Sequence, residues 1–137
     1  MKTKLMLCAC VSILSVSASF EAASKEHCSI KTLKGTYTYS SQGYFAGHPY
    51  AESGMESYNG AGNVVTTYTD SLGRANMGDT ATYVIGEDCH GTVTYSSGSV
   101  YNIYISPKGD SMTYILTSGD GVISGISQRI SNKLILK

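Results

Sequence analysis

Eight short runs rich in Thr, Tyr, Val and Ile, punctuated by Gly, Asn and Asp, constrain this chain more than any other feature of its sequence. The runs cover residues 35–41, 52–58, 63–69, 80–85, 92–96, 100–105, 111–117 and 122–130. β-Branched and aromatic residues suit a pleated, half-buried strand. The intervening Asn59-Gly60-Ala61-Gly62, Asp70-Ser71-Leu72-Gly73, Ser106-Pro107-Lys108-Gly109-Asp110 and Ser118-Gly119-Asp120-Gly121 are turn formers that tolerate positive φ. Beyond residue 33 no window repeats its apolar positions at a helical period, so the fold class is all-β.

Period two assigns the faces. Tyr37 and Tyr39 share one face, as do Val93 with Tyr95, Tyr101 with Ile103 and Ile105, and Met112 with Tyr114 and Leu116. The opposite faces carry Thr36, Thr38, Ser40, Thr92, Thr94, Ser111 and Thr113, and are expected to be wet. Consecutive hairpins leave exposed edges unless the sheet closes on itself. Eight antiparallel strands close around packed side chains or one small ligand. The connection lengths favour an eight-stranded antiparallel up-and-down barrel over a two-sheet sandwich, with 42–51 and 70–79 as the mouth loops. The segment at 35–41 (GTYTYSS) recurs at 91–97 (GTVTYSS) with six of seven residues identical. A duplicated four-strand half and convergent composition both account for it.

The chain has 137 residues, 10 Lys+Arg and 10 Asp+Glu, and only 15% of it is charged. Such a balance excludes a nucleic-acid binder driven by bulk charge, and the length fits one domain. Lys2 and Lys4 precede an apolar run at 5–16, and Val16-Ser17-Ala18 offers small residues for signal peptidase. A signal peptide over 1–18 is expected, with cleavage as late as 23. A lipoprotein reading through Leu7-Cys8-Ala9-Cys10 would leave a shorter apolar run. The run is too short to span a bilayer, so no retained anchor is expected, and the product is exported, periplasmic or extracellular. Cys28 and Cys89 then remain, and an oxidising compartment favours a disulfide that tethers the segment 19–32 to a barrel over 33–137. His27 and His90 flank these cysteines, which keeps a Cys2His2 zinc site as the alternative; no metal and no cofactor are expected.

The first strand opens Lys34-Gly35-Thr36-Tyr37, and the last carries Gln128-Arg129-Ile130. In this the chain resembles the calycin barrels (lipocalins, avidins and relatives), which open with Gly-x-Trp and place an Arg late in the last strand, across that ring. Tyr37 stands where the family has Trp. The resemblance implies that Gly35, Tyr37 and Arg129 close the barrel and that the barrel bears a pocket or a binding surface. Cys28 followed by LKGTY at 33–37, YNGAGNV at 58–64 and DCHGTVT at 88–94 also resembles uncharacterised exported bacterial proteins.

Few residues suggest catalysis, and no catalytic residue is assigned. Gly109-Asp110-Ser111 is similar to a lipase-type GDS block, but it opens a strand of an all-β chain, where Asp110 serves a turn. Glu52 and Glu56 share one strand face and read either as an acid/base pair or, preferably, as a solvated edge. Asp70, Asp79, Asp88, Asp110 and Asp120 fall in expected turns without calcium-site spacing. The tyrosines are more informative: Tyr37, Tyr39, Tyr83, Tyr95, Tyr101 and Tyr114 read inward, as core packing or as the lining of a ligand-binding lumen. Tyr44, Phe45, His48 and Tyr50 fall in the first mouth loop, where they would cap the lumen or anchor a partner.

These features point to a non-catalytic exported barrel, monomeric or a small homo-oligomer. It would hold a small amphipathic or aromatic ligand in its lumen or a protein partner at its loops. An inhibitor or immunity-type protein acting by protein contact is the alternative. A cyclase or isomerase that mainly shapes its substrate and a surface structural role come after it.

Overall fold

The computed structural model describes residues 27–137; the expected signal segment and its cleavage site lie outside the described residues. Eight strands follow a 3-10 turn at Ile30–Thr32: β1 (Lys34–Phe45), β2 (His48–Asn59), β3 (Asn63–Asp70), β4 (Met77–Ile85), β5 (His90–Tyr95), β6 (Val100–Ile105), β7 (Ser111–Leu116) and β8 (Val122–Ser131). Each pairs antiparallel with the next, and β8 returns to pair with β1, so the sheet is a closed up-and-down barrel. The sandwich alternative is thereby replaced.

All eight expected strands are present, and the first hairpin is longer than its sequence suggests. The residues expected as a mouth loop at 42–51 are mostly strand. β1 and β2 pair without interruption from Lys34↔Asn59 to Phe45↔His48. Ala46 and Gly47 turn the chain with φ of 49° and 80°, the two positive values that a tight two-residue hairpin needs. Tyr44, Phe45, His48 and Tyr50 therefore sit on paired strands at the end of the first hairpin.

Closure is made at the seam of β1 and β8. The register shifts by one residue between Thr36, opposite Ser131, and Tyr37, opposite Arg129. Gly35, at φ 117°, lies so close to β8 that a Cβ would fall 2.3 Å from the Ser131 carbonyl oxygen. Arg129 donates to the Lys34 carbonyl (3.3 Å) and the Lys108 carbonyl (3.0 Å), tying the seam to the β6–β7 turn. The three residues expected to close the barrel thus meet at one place.

One end of the barrel is plugged. Cys28 and Cys89 form a disulfide across 61 residues, which removes the zinc alternative. Leu33 is wholly buried, and the Tyr83 hydroxyl donates to the carbonyls of Ile30 (3.1 Å) and Leu33 (2.8 Å). Tyr37, Tyr58 and Tyr83 pack edge to face with centroids 5.4 and 5.2 Å apart, and Tyr37 donates to the Gly109 carbonyl. These rings are the floor.

Thr36, expected on a wet face, is buried by the chain's own C-terminus. Its hydroxyl donates to the Lys133 carbonyl (2.8 Å) and accepts from the Ile135 N–H (2.9 Å), while the Leu136 N–H donates to Ser57 (3.0 Å). Residues 133–136 thus run over the outer face of β1 and β2.

Two stability predictions follow from this construction. Replacing both Cys28 and Cys89 by Ser should lower unfolding stability by about 2–4 kcal/mol, since the bridge closes a long loop in the unfolded chain. Denaturant unfolding of both proteins checks this, and equal midpoints under oxidising conditions would refute it. Gly35→Ala should cost about 2–4 kcal/mol, because the methyl meets backbone that cannot swing aside. An unchanged thermal midpoint would show that the seam yields.

Candidate functional site

In an up-and-down barrel alternate turns gather at opposite ends. The β1–β2, β3–β4, β5–β6 and β7–β8 turns lie away from the plug, and a cavity of about 210 Å³ reaches that end. It has room for about seven waters, or for a ligand on the order of ten non-hydrogen atoms. Drug-sized pockets are larger.

Glu56 is a buried carboxylate on its wall. Being of the same parity as Tyr58 on β2, it points inward and is 4% exposed. Tyr95 on β5 donates to Oε1 at 2.7 Å; Tyr58 and, from β8, Ser127 donate to Oε2 at 3.2 Å each. The carboxylate therefore links three separated strands across the bore. Burial pushes its pKa above the ordinary carboxylate range, against the lowering effect of the hydroxyls of Tyr95, Ser127 and Tyr58.

Glu52 lies four residues nearer the mouth on the same face, about 13 Å along the strand. The Tyr39 hydroxyl donates to Oε1 at 2.5 Å and the Tyr50 hydroxyl to Oε2. Burial, and then the adjacent Glu52, raise the pKa of both phenols, so both keep their protons. Each Glu52 oxygen accepts one bond here and can accept another.

At the rim, Arg74 donates from Nε to the Asp70 carboxylate at 2.5 Å and lies 5.9 Å from the Tyr68 ring centroid. Burial acts to raise the Asp70 pKa, but bonds from the Arg74 and Leu72 N–H groups and from the Arg74 guanidinium outweigh it and hold the group below its ordinary value. Asp79 on β4 also lines the cavity and accepts from the Ser96 hydroxyl.

The rings form a continuous wall. Tyr39, Tyr114, Tyr101 and Tyr95 stand edge to face in sequence, with centroids 6.4, 5.7 and 5.8 Å apart. Tyr114 donates to the Ser40 carbonyl at 3.2 Å and lies over Gly125, where a Cβ would fall 2.4 Å from its hydroxyl. Tyr101 borders the cavity and donates to no other described residue. At the lip, Phe45 tilts against Tyr50 with centroids 5.8 Å apart.

The residues expected to line a lumen divide in two. Tyr39, Tyr95, Tyr101 and Tyr114 line the cavity; Tyr37 and Tyr83 lie beneath it in the floor. Of the four expected at the mouth, Phe45 and Tyr50 face the cavity, whereas Tyr44 and His48 are exposed outside it. His27 and His90 keep separate neighbours: His27 Nδ1 lies 3.8 Å from Glu87, and His90 stacks on Tyr104 with centroids 4.7 Å apart. Among the described residues no group of three or more His, Cys, Asp or Glu is placed to hold a metal ion.

The edge reading of Glu52 and Glu56 is overturned, because a closed barrel has no edge and both carboxylates point inward. Asp79 likewise belongs to a strand rather than a turn. The signal was present in parity, since Tyr50, Glu52, Glu56 and Tyr58 are all even-numbered on one strand. Ser127 was harder to see, for β8 turns Ile126 and Ile130 outward at 60% and 54% exposure.

Glu56 supplies a pH test. Its folded pKa lies above that of an unfolded Glu, about 4.3, so the folded state holds the proton longer. Stability relative to a non-titrating variant is full below that value and is lost as pH rises towards the folded pKa, by up to about 1.4 kcal/mol per unit. Denaturant unfolding from acid to neutral pH should therefore show wild type losing ground to Glu56→Gln. A gap constant with pH, or one of opposite slope, would refute the assignment. Compared with known proteins, the chain matches no family model, no curated protein and no solved structure.

Proposed function

We propose that this protein is an exported, non-catalytic barrel that holds a small amphipathic or aromatic ligand in its lumen. The observation that carries this reading is the cavity itself: a wall of tyrosine faces, interrupted by carboxylates and hydroxyls, inside a closed sheet whose far end is plugged. Apolar faces with a few convergent polar groups are the usual make-up of a small-molecule site. Export draws support from the disulfide, which forms and persists in oxidising compartments. No helix among the described residues is long and apolar enough to cross a membrane, which says nothing of strands.

The seam supports a calycin-like reading of the barrel. Arg129 stands opposite Tyr37 in register, where the resemblance puts the last-strand arginine, and bonds the Lys34 carbonyl. An experimental structure with the guanidinium turned away from Lys34 and Tyr37 would remove that support.

Native mass spectrometry of the protein purified from its own host is the direct test, and a retained small molecule is the expected result. A second test uses Ser41→Phe, which places a ring where a small buried side chain lines the cavity. With the fold verified by circular dichroism, this variant should lose at least about tenfold in affinity for any small compound the wild type binds, a cost near 1.4 kcal/mol. A bare chain, together with no binder in a panel of compounds of about ten non-hydrogen atoms, would overturn the reading.

A further inference from the structure

The cavity wall carries more negative than positive charge, and the imbalance is local. Arg74 is the one cationic side chain among the described residues on that wall, and Asp70 already holds it at 2.5 Å. Glu52 and Glu56 have no basic neighbour within ion-pairing distance among the described residues; their partners are hydroxyls. Buried charge is normally paired, because hydroxyls alone replace only part of the lost hydration.

The rim shows how this barrel receives a cation. There the Arg74 guanidinium takes a carboxylate on one side and the Tyr68 ring on another. Directly opposite Asp70, on β2, the same two ingredients recur without a cation in ion-pairing contact. Glu52 is fixed by Tyr39 and Tyr50 and retains a free acceptor direction on each oxygen. Tyr39, Tyr114 and Tyr101 line the cavity beside it. Aromatic faces attract organic cations, and more strongly where water is excluded.

Resting on the lumen-binding reading above, we infer that the ligand is a small organic ammonium ion, its charged nitrogen on Glu52 and its apolar body against Tyr39, Tyr101 and Tyr114. A cavity of about 210 Å³ holds only a compact molecule. A carboxylate or phosphate ligand would meet Glu52 with like charge. A neutral ligand would leave Glu52 without a counterion.

Three probes of one shape separate these cases: benzylamine, charged at neutral pH, benzyl alcohol, neutral, and benzoate, anionic. Titration calorimetry on the full mature protein should show benzylamine binding at least about tenfold more tightly than benzyl alcohol, with benzoate weakest. In Glu52→Gln, with the fold verified by circular dichroism, that preference should fall to within about threefold. If benzyl alcohol or benzoate binds wild type as well as benzylamine does, the ammonium assignment fails and the lumen reading stands. If none of the three binds, the ammonium assignment fails, and the lumen reading fails with it only where the chain is also bare and the wider panel gives no binder. If the preference for benzylamine survives in Glu52→Gln, the charge is not read by Glu52 and the inference is overturned.

Discussion

The rest of the structure depends on β1 having two partners. Its twelve residues pair with β2 along their whole length, and residues 36–44 pair with β8 as well. That second pairing closes the sheet and leaves no strand with unpaired N–H and C=O groups along an edge. The cost is local: the seam must bend, and it bends where Gly35 and the bulge at Thr36/Tyr37 lie against Ser131 and Arg129. Once the sheet is closed, inward position alone removes a side chain from bulk water. A carboxylate that would be a surface group on an open sheet becomes a buried one, as Glu56 has become.

Tyrosine suits such an interior, since it fills volume with a ring and still carries a hydroxyl that must find an acceptor. Two kinds of acceptor divide the barrel along its axis. In the floor the acceptors are backbone carbonyls of Ile30, Leu33 and Gly109, supplied by the tethered N-terminal segment and the β6–β7 turn. Those segments bring apolar bulk with them, so the floor is packed solid around Leu33. Midway up no loop reaches inward; Tyr39, Tyr50 and Tyr95, with Tyr58 from the floor, donate to the side chains of Glu52 and Glu56, while Tyr114 takes the Ser40 carbonyl of the wall itself. A carboxylate serves several hydroxyls without filling the bore, and the cavity lies where this second arrangement holds.

The strands and the disulfide were legible because alternation and turn chemistry are local signals, and because two cysteines follow the expected signal segment. The extent of the first hairpin was not. Ala46-Gly47 lacks the usual Asn or Asp at its first turn position, and Pro49 speaks against a strand. The structure accommodates Pro49 opposite Tyr44, near the end of the hairpin. The direction of Glu52 and Glu56 was legible in parity but outweighed by the ordinary rule that carboxylates face water. Thr36 could not be read at all from its strand. Its burial is made by residues 133–136, a contact about a hundred positions distant that leaves no periodic trace.

The repeated segment gains a physical sense from the closed topology. Strands one and five of eight stand on opposite sides of the bore, so GTYTYSS and GTVTYSS face each other across it. Their matched tyrosines, Tyr39 and Tyr95, each donate to one of the two carboxylates of β2, Tyr39 to Glu52 and Tyr95 to Glu56. Their matched serines, Ser41 and Ser97, both line the cavity nearer its mouth. The single mismatch falls where the two sides must differ. Tyr37 reaches down to the Gly109 carbonyl and completes the floor, whereas Val93, buried in the same cluster, has a shorter side chain that borders the cavity from below. Had both been tyrosine, the second ring would have stood in the part of the cavity that Val93 lines and shortened it from below.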